Sequence, residues 1–368
     1  MASPLSGLTF GVLAPRVPRK APRGGNRVPL SAWLRPRRPR HLLGVAISLL
    51  FAASMWFYVQ GVLIPYQKAD AVRYGKPRGN LSDLYPRWLG ARELFLHGRD
   101  PYTIFHGMPS YPLPAAIVGL AFVWVKPEIA AGLFFGGSSA LLAFGLTRQG
   151  YTRLLIFLAY PYWAAMITVQ WAPLIMASAL LPWLLPVTTA KPQLGAVVVL
   201  TYPTRRGLLG CVLLLAASLI LMPNWPLRWL AGVSQHTHYV PMLALPGPAL
   251  LLAMWRRRDP DSHLFLLSSL APQHWFYDSF ILWLIPKTRQ EIMATVFLSW
   301  GAGITRWYLT PHSWAEVGAW AVLWIYLPML TVILLRGTEA SIRERQKQMF
   351  TGVHTPATAM AALSVEDH

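Results

Sequence analysis

Residues 42–64 contain no Asp, Glu, Lys or Arg, and this stretch restricts the fold more than any other feature of the chain. As a helix it is long enough to cross the ~30 Å hydrocarbon core of a bilayer. Apolar segments recur near 113–125, 129–146, 153–169, 172–188, 192–203, 207–222, 240–255, 262–272, 275–286, 290–304 and 315–335. A soluble domain carries about 25% charged residues, whereas this chain carries 13%, with 54% hydrophobic residues and a mean hydropathy of +0.39. The pattern predicts an all-α polytopic membrane protein. At about 20 residues per span, 10–12 transmembrane helices fit the length.

Several apolar segments are shorter than a full span, and many hold proline, such as Pro161, Pro182, Pro186 and Pro286. Broken helices persist at membrane depth only where they pack in protein or line a wet cavity. The pattern therefore favours a protein with an internal site over a simple anchor. The single cysteine, Cys211, lies in an apolar run and reads as a packing residue.

Charge divides the chain into an arm at 1–41, a membrane domain at 42–335 with its first outer loop at 65–112, and a polar, cytoplasmic tail at 336–368. The arm carries nine Lys or Arg and no acid, and its Pro- and Arg-rich composition predicts disorder. The positive-inside rule assigns it to the cytoplasm. Nucleic-acid binding is the rival reading of so basic an arm. Adjacent anionic lipid, which gains about 1 kcal/mol per basic residue, favours the membrane surface and no nucleic acid. A cleaved signal peptide fits poorly, because the basic region is long and no small-residue cleavage site follows. Arg205-Arg206 and Arg256-Arg257-Arg258 also read as cytoplasmic.

The first polar loop carries the densest chemistry. Leu84, Trp88, Ala91 and Phe95 recur at spacings of four, three and four, which predicts an amphipathic helix on the outer membrane face. Pro86 suits its first turn and Gly98 its stop, while Arg87, Arg92 and Glu93 fall to the polar side. Asp83 stands just before this helix, where it can act as an N-cap or as a base. Asn80-Leu-Ser82 fits a glycosylation sequon, a short and weak pattern. Arg99-Asp100-Pro101-Tyr102 reads as a turn.

Further polar residues interrupt apolar surroundings. Lys191, with Gln193 beside it, is a functional candidate or a snorkelling loop lysine. In Ala271-Pro-Gln-His-Trp-Phe-Tyr-Asp278, His274 is a phosphate candidate and Asp278 orients a cation or caps a loop. Asp259-Pro-Asp261 reads as a helix start. No metal-binding pattern occurs, and no Gly-rich phosphate loop supports nucleotide use.

Ser82-Asp-Leu-Tyr-Pro-Arg-Trp-Leu-Gly-Ala-Arg92 followed by His97-Gly-Arg-Asp-Pro-Tyr102 resembles the first outer loop of glycosyltransferase family 87, integral-membrane GT-C enzymes related to polyprenyl-phosphate-mannose-dependent mannosyltransferases. Ser110-Tyr-Pro-Leu-Pro114, Gln170-Trp-Ala-Pro-Leu174 and Lys191-Pro-Gln-Leu-Gly195 are similar to further elements of that family. The likeness runs over most of 42–335 and is strongest in the first half. It implies a GT-C-like helical bundle in the bacterial plasma (inner) membrane. It also implies a polyprenyl-phosphate sugar donor, with mannose as the sugar, and a lipid or glycan acceptor on the outer face. Asp83 would be the catalytic base of an inverting transfer, and Tyr85, Arg87, Arg92, Lys191, Gln193 and His274 would bind substrate or phosphate. Such donors lack the diphosphate that calls for a metal, so no metal or cofactor is implied. A transporter or lipid flippase, or a non-catalytic relative that binds polyprenyl lipid, are the alternative readings.

Overall fold

A computed structural model describes residues 39–65, 84–103, 111–233 and 238–336. The basic arm through residue 38, most of the polar loop (including Asp83 and the sequon) and the tail beyond Arg336 lie outside the described residues. Within them the chain is helical, with no strand; Tyr239 and Gln273 form one isolated antiparallel bridge.

Among the described residues, three helices are long and apolar enough to cross a membrane. The first is α1 (Pro39–Tyr58), which continues through one π-helical turn, Val59–Leu63. The short α2 (Leu84–His97) and α3 (Leu113–Gly119) follow, and then α4 (Pro127–Thr147), the second long helix. The third is the run Trp314–Arg336, opened by α12 (Trp314–Ala321). The apolar stretches between 151 and 309 fold as shorter pieces. These are α5 (Tyr160–Ile167), α6 (Ala172–Leu180), α7 (Pro192–Thr201), α8 (Arg205–Leu221), α9 (Trp225–Val233), α10 (Pro260–Leu270) and α11 (Arg289–Tyr308). Tight 3-10 segments at Tyr151–Leu158, Pro182–Ala190, Gly247–Arg256 and Phe276–Leu284 join them. Proline sets many of these breaks. Pro127, Pro161, Pro173, Pro182, Pro192, Pro248 and Pro260 each stand in the first turn of a segment, where the missing N–H costs nothing.

Helices α1 and α4 pack closely. Two glycines one turn apart on α4 permit this: a Cβ on Gly132 would stand 2.8 Å from the Trp56 ring, and one on Gly136 would stand 3.0 Å from the Ala52 carbonyl. Small residues at such spacing let membrane helices approach at backbone distance.

One end of the molecule is basic. Arg153 donates to the carbonyls of Trp283, Leu284 and Pro286, Lys287 Nζ to Leu284 O at 2.6 Å, and Arg336 Nη2 to Ile285 O at 2.5 Å. These are the orphan acceptors at the C-terminal end of segment 276–284, where the helix dipole favours cations. Asp261 and Glu291 balance the cluster. Arg336 reaches Asp261 at 2.7 Å and grips Glu291 through two bonds of 2.9 and 2.6 Å, and Lys287 reaches Asp261 at 3.0 Å. Tyr202, after the last turn of α7, belongs to the same end. Burial pushes its hydroxyl up to about 12, and the Asp261 carboxylate adds to the effect.

Helix α8 starts beside Tyr202, and its 17 residues carry the chain about 26 Å from the basic end. There it breaks and turns by 99° into α9. Arg228 on α9 forms an ion pair with Asp100, just beyond the end of α2. Helices α2 and α9 therefore meet at the end of the molecule opposite the basic cluster. Counted with α9, α8 gives a fourth candidate span.

Candidate functional site

Helix α2 begins at Leu84 and ends at His97, and Gly98 follows with φ +62°, the left-handed conformation of a helix stop. Leu84, Trp88 and Ala91 are buried, as the periodicity predicts, and Phe95, the fourth of the series, is half-buried. Arg87 departs from that prediction. It stands three residues after Leu84 and four before Ala91, which is the same stripe of the helix, and it is 0% exposed instead of sharing a solvated side with Arg92 and Glu93. Its guanidinium lies 3.4 Å above the Tyr111 ring centroid and 5.9 Å from that of Trp171.

Trp171 leads to a second buried charge. Its neighbour Gln170 accepts a hydrogen bond of 3.3 Å from Lys191 Nζ, which also donates to Asp278 Oδ1 at 2.5 Å. Lys191 is 2% exposed, Asp278 and Gln170 are 0% exposed, and the ammonium stands 4.9 Å from the centre of the Tyr277 ring. The second oxygen of Asp278 accepts the backbone N–H of His274 at 2.9 Å. Asp278 thus serves both readings the sequence allowed, orienting a cation with one oxygen and capping the loop with the other. His274 is half-buried and stacks on Trp314 at 5.2 Å.

Local folding explains why these residues converge. Lys191 precedes α7, and Asp278 lies in the first turn of segment 276–284. Both elements run from this cluster to the basic end, about 16 Å away along α7 and about 12 Å along the tighter 3-10 segment. A carboxylate at one end of segment 276–284 and three cations at the other match its dipole.

Two donors in the cluster are buried without a hydrogen-bond acceptor among the described residues, Gln170 Nε2 and Trp171 Nε1. Buried donors are nearly always paired in folded proteins, so these two, on consecutive residues with the Arg87 guanidinium 5.9 Å from the Trp171 ring, suit an anionic ligand.

The other expected site residues fall elsewhere. Tyr85 and Arg92 are half-buried and pack on Trp88, with ring centroids 5.8 Å apart for Tyr85 and the Arg92 guanidinium 5.3 Å from the indole. Trp88 is pinned in turn by 3.1 Å bonds from its Nε1 to the Phe122 and Val125 carbonyls. Gln193 is half-buried in the first turn of α7, and no described hydrogen bond joins it to the cluster. Asp83 lies outside the described residues. Asp259 caps α10 by accepting the N–H of Asp261 at 2.9 Å, as its turn chemistry predicts. Cys211 is buried.

Residue-by-residue reading did not single out Gln170, Trp171, Tyr111 or Arg153 as site or structural residues. For the first three the signal was present, since each lies in a motif that resembles a family element. Arg153 follows an ordinary polar turn, and only the tertiary structure shows it against segment 276–284. No family model, no curated protein and no solved structure matches the chain.

Proposed function

We propose that this chain is an integral-membrane glycosyltransferase of the GT-C type, similar to family 87, which moves a sugar from a polyprenyl-phosphate donor to a lipid or glycan acceptor. One observation carries the reading. Four sequence elements that resemble the family come together: Arg87 lies against both Tyr111 and Trp171, and Gln170, next to Trp171 in sequence, accepts from Lys191. Nothing in a packing role alone requires those distant segments to contribute buried cations and unpaired donors to one place.

In this proposal Asp83 takes the proton from an acceptor hydroxyl while that oxygen attacks the anomeric carbon of the donor sugar. The bond from that carbon to the lipid phosphate breaks, the phosphate leaves with the electron pair, and the configuration inverts. Arg87 and the free donors of Gln170 and Trp171 suit the phosphate oxygens, where charge develops. Lys191 already has Asp278, Gln170 and the Tyr277 ring around its ammonium, so it is a positioning residue that holds Gln170. Mannose is the sugar that the family likeness implies. By the positive-inside rule the basic end faces the cytoplasm, which assigns α2 and the cluster to the outer half of a bacterial plasma membrane. The further helical pieces would then complete a polytopic bundle.

The direct test is to incubate the purified protein with labelled polyprenyl-phosphate mannose and a membrane extract, and to identify the labelled product. Transfer of the sugar with inversion is the expected result. If label stays on the donor, and only moves intact between leaflets of a vesicle, the enzymatic reading fails and lipid transport replaces it.

A further inference from the structure

The segment Gly247–Arg256 makes three residues per turn, so side chains three apart eclipse one another. Gly247, Leu250 and Ala253 form the buried row, which turns Leu251, Leu252, Met254 and Trp255 outward. Trp255 is 78% exposed. Arg256, Arg257 and Arg258 follow directly, with Arg257 and Arg258 exposed. Met254 to Asp259 line a recess of about 650 Å³. Asp259 is the acid in that lining, and its Oδ1 is engaged in capping α10. Among the described residues none of the three arginines forms an ion pair. Three planar guanidiniums, an indole and an apolar skirt are thus concentrated in one concave patch.

Its position in the fold is fixed by α10. Asp261, two residues beyond Asp259, is bonded to Arg336, the last residue of the third long apolar helix. The patch therefore sits level with the end of a candidate membrane span, at the depth where lipid headgroups lie.

We propose that Trp255 and Arg256–Arg258 form a docking site for an anionic phospholipid, with the guanidiniums on the headgroup phosphate and Trp255, Met254 and Leu251 against the first part of the acyl chains. Guanidinium forks bind phosphate oxygens in pairs, and an indole is at home where one side is apolar and the other wet. The proposal requires only that the helix ending at Arg336 crosses the bilayer, and it stands whether or not the chain transfers a sugar.

The test is native mass spectrometry of the full-length chain, released from neutral detergent with either phosphatidylglycerol or phosphatidylcholine. Wild type should retain phosphatidylglycerol in preference, and 0.5 M salt before exchange should erase that preference. The exposed double substitution R257Q/R258Q should weaken phosphatidylglycerol binding about thirtyfold, at the strength usual for basic residues beside an anionic leaflet. Phosphatidylcholine binding should weaken far less, because its choline cation offsets the shared phosphate, and the melting temperature should stay unchanged. W255A should weaken both lipids, and the control R205Q/R206Q should keep the preference. Equal retention of the two lipids by wild type, a salt-insensitive preference, or an equal loss in R205Q/R206Q would overturn the proposal. So would competition by inorganic phosphate at the same concentration as the lipid, because the site would then read phosphate without its lipid.

Discussion

Lys191 and Asp278, 87 positions apart in sequence, meet as a fully buried ion pair at 2.5 Å, each at the N-terminal end of a helical segment. Removing one partner leaves an uncompensated charge, which typically costs about 3–5 kcal/mol. The single variants Lys191→Met and Asp278→Leu should each lower the melting temperature of the detergent-solubilised protein sharply. The double variant should recover much of the loss, short of the part due to the His274 N–H that Asp278 caps. Strictly additive losses in a double-mutant cycle would show that the pair is not coupled.

Arg87 lies over Tyr111 at 3.4 Å, close enough for a strong cation–π contact in a desolvated place. Tyr111→Leu should cost about 1–2 kcal/mol of stability. It should also lower sugar transfer, because the ring holds the guanidinium flat. Arg87→Lys keeps the charge but loses the planar stacking, so it should couple to Tyr111→Leu in a cycle of melting temperatures. Independent effects would separate the two residues.

The basic end predicts an acid limit to stability. Burial of Glu291 raises its pKa, but the Arg336 guanidinium and the N–H groups of Lys287 and Thr288 outweigh burial and leave it lowered. A carboxylate depressed in the folded state contributes stability that is present above its unfolded pKa of about 4.3 and is lost as pH falls through the folded value. Melting temperature should thus hold from neutral pH down to about 5 and drop below about 4. Glu291→Gln should be less stable at neutral pH and show a shallower acid limb. An acid limb of unchanged slope would remove Glu291 from the effect.

Close packing of α1 on α4 depends on Gly132 and Gly136. Gly136→Val places carbon against the Ala52 carbonyl, and overpacking of this kind costs about 1–3 kcal/mol. Gly137→Ala, on an open side of the same helix, should be neutral or slightly stabilising. Crosslinking between cysteines placed on α1 and α4 would report the separation. Equal yields in both variants would contradict it.

The helical class and the long apolar helices were legible in the sequence, because an apolar helix of 22 residues without a charge has few other solutions. The α2 helix was legible down to its glycine stop. Arg87 falls on the polar side only when charge is weighed above spacing; positions 84, 87, 88 and 91 form one stripe whatever they carry. The convergence of Lys191 with Asp278 was not legible at all. Each stood out as a polar residue in apolar surroundings, but their pairing depends on how two short segments dock, which no local pattern encodes. The 3-10 segments were equally hidden, since proline announces a break and not the geometry that follows it.

The most direct test of glycosyl transfer compares wild type with Asp83→Asn, using labelled polyprenyl-phosphate mannose and an acceptor extract and measuring product and bound donor in parallel. The proposed mechanism predicts that Asp83→Asn abolishes transfer while the melting temperature and donor binding stay at wild-type values. Transfer by Asp83→Asn at the wild-type rate would contradict it.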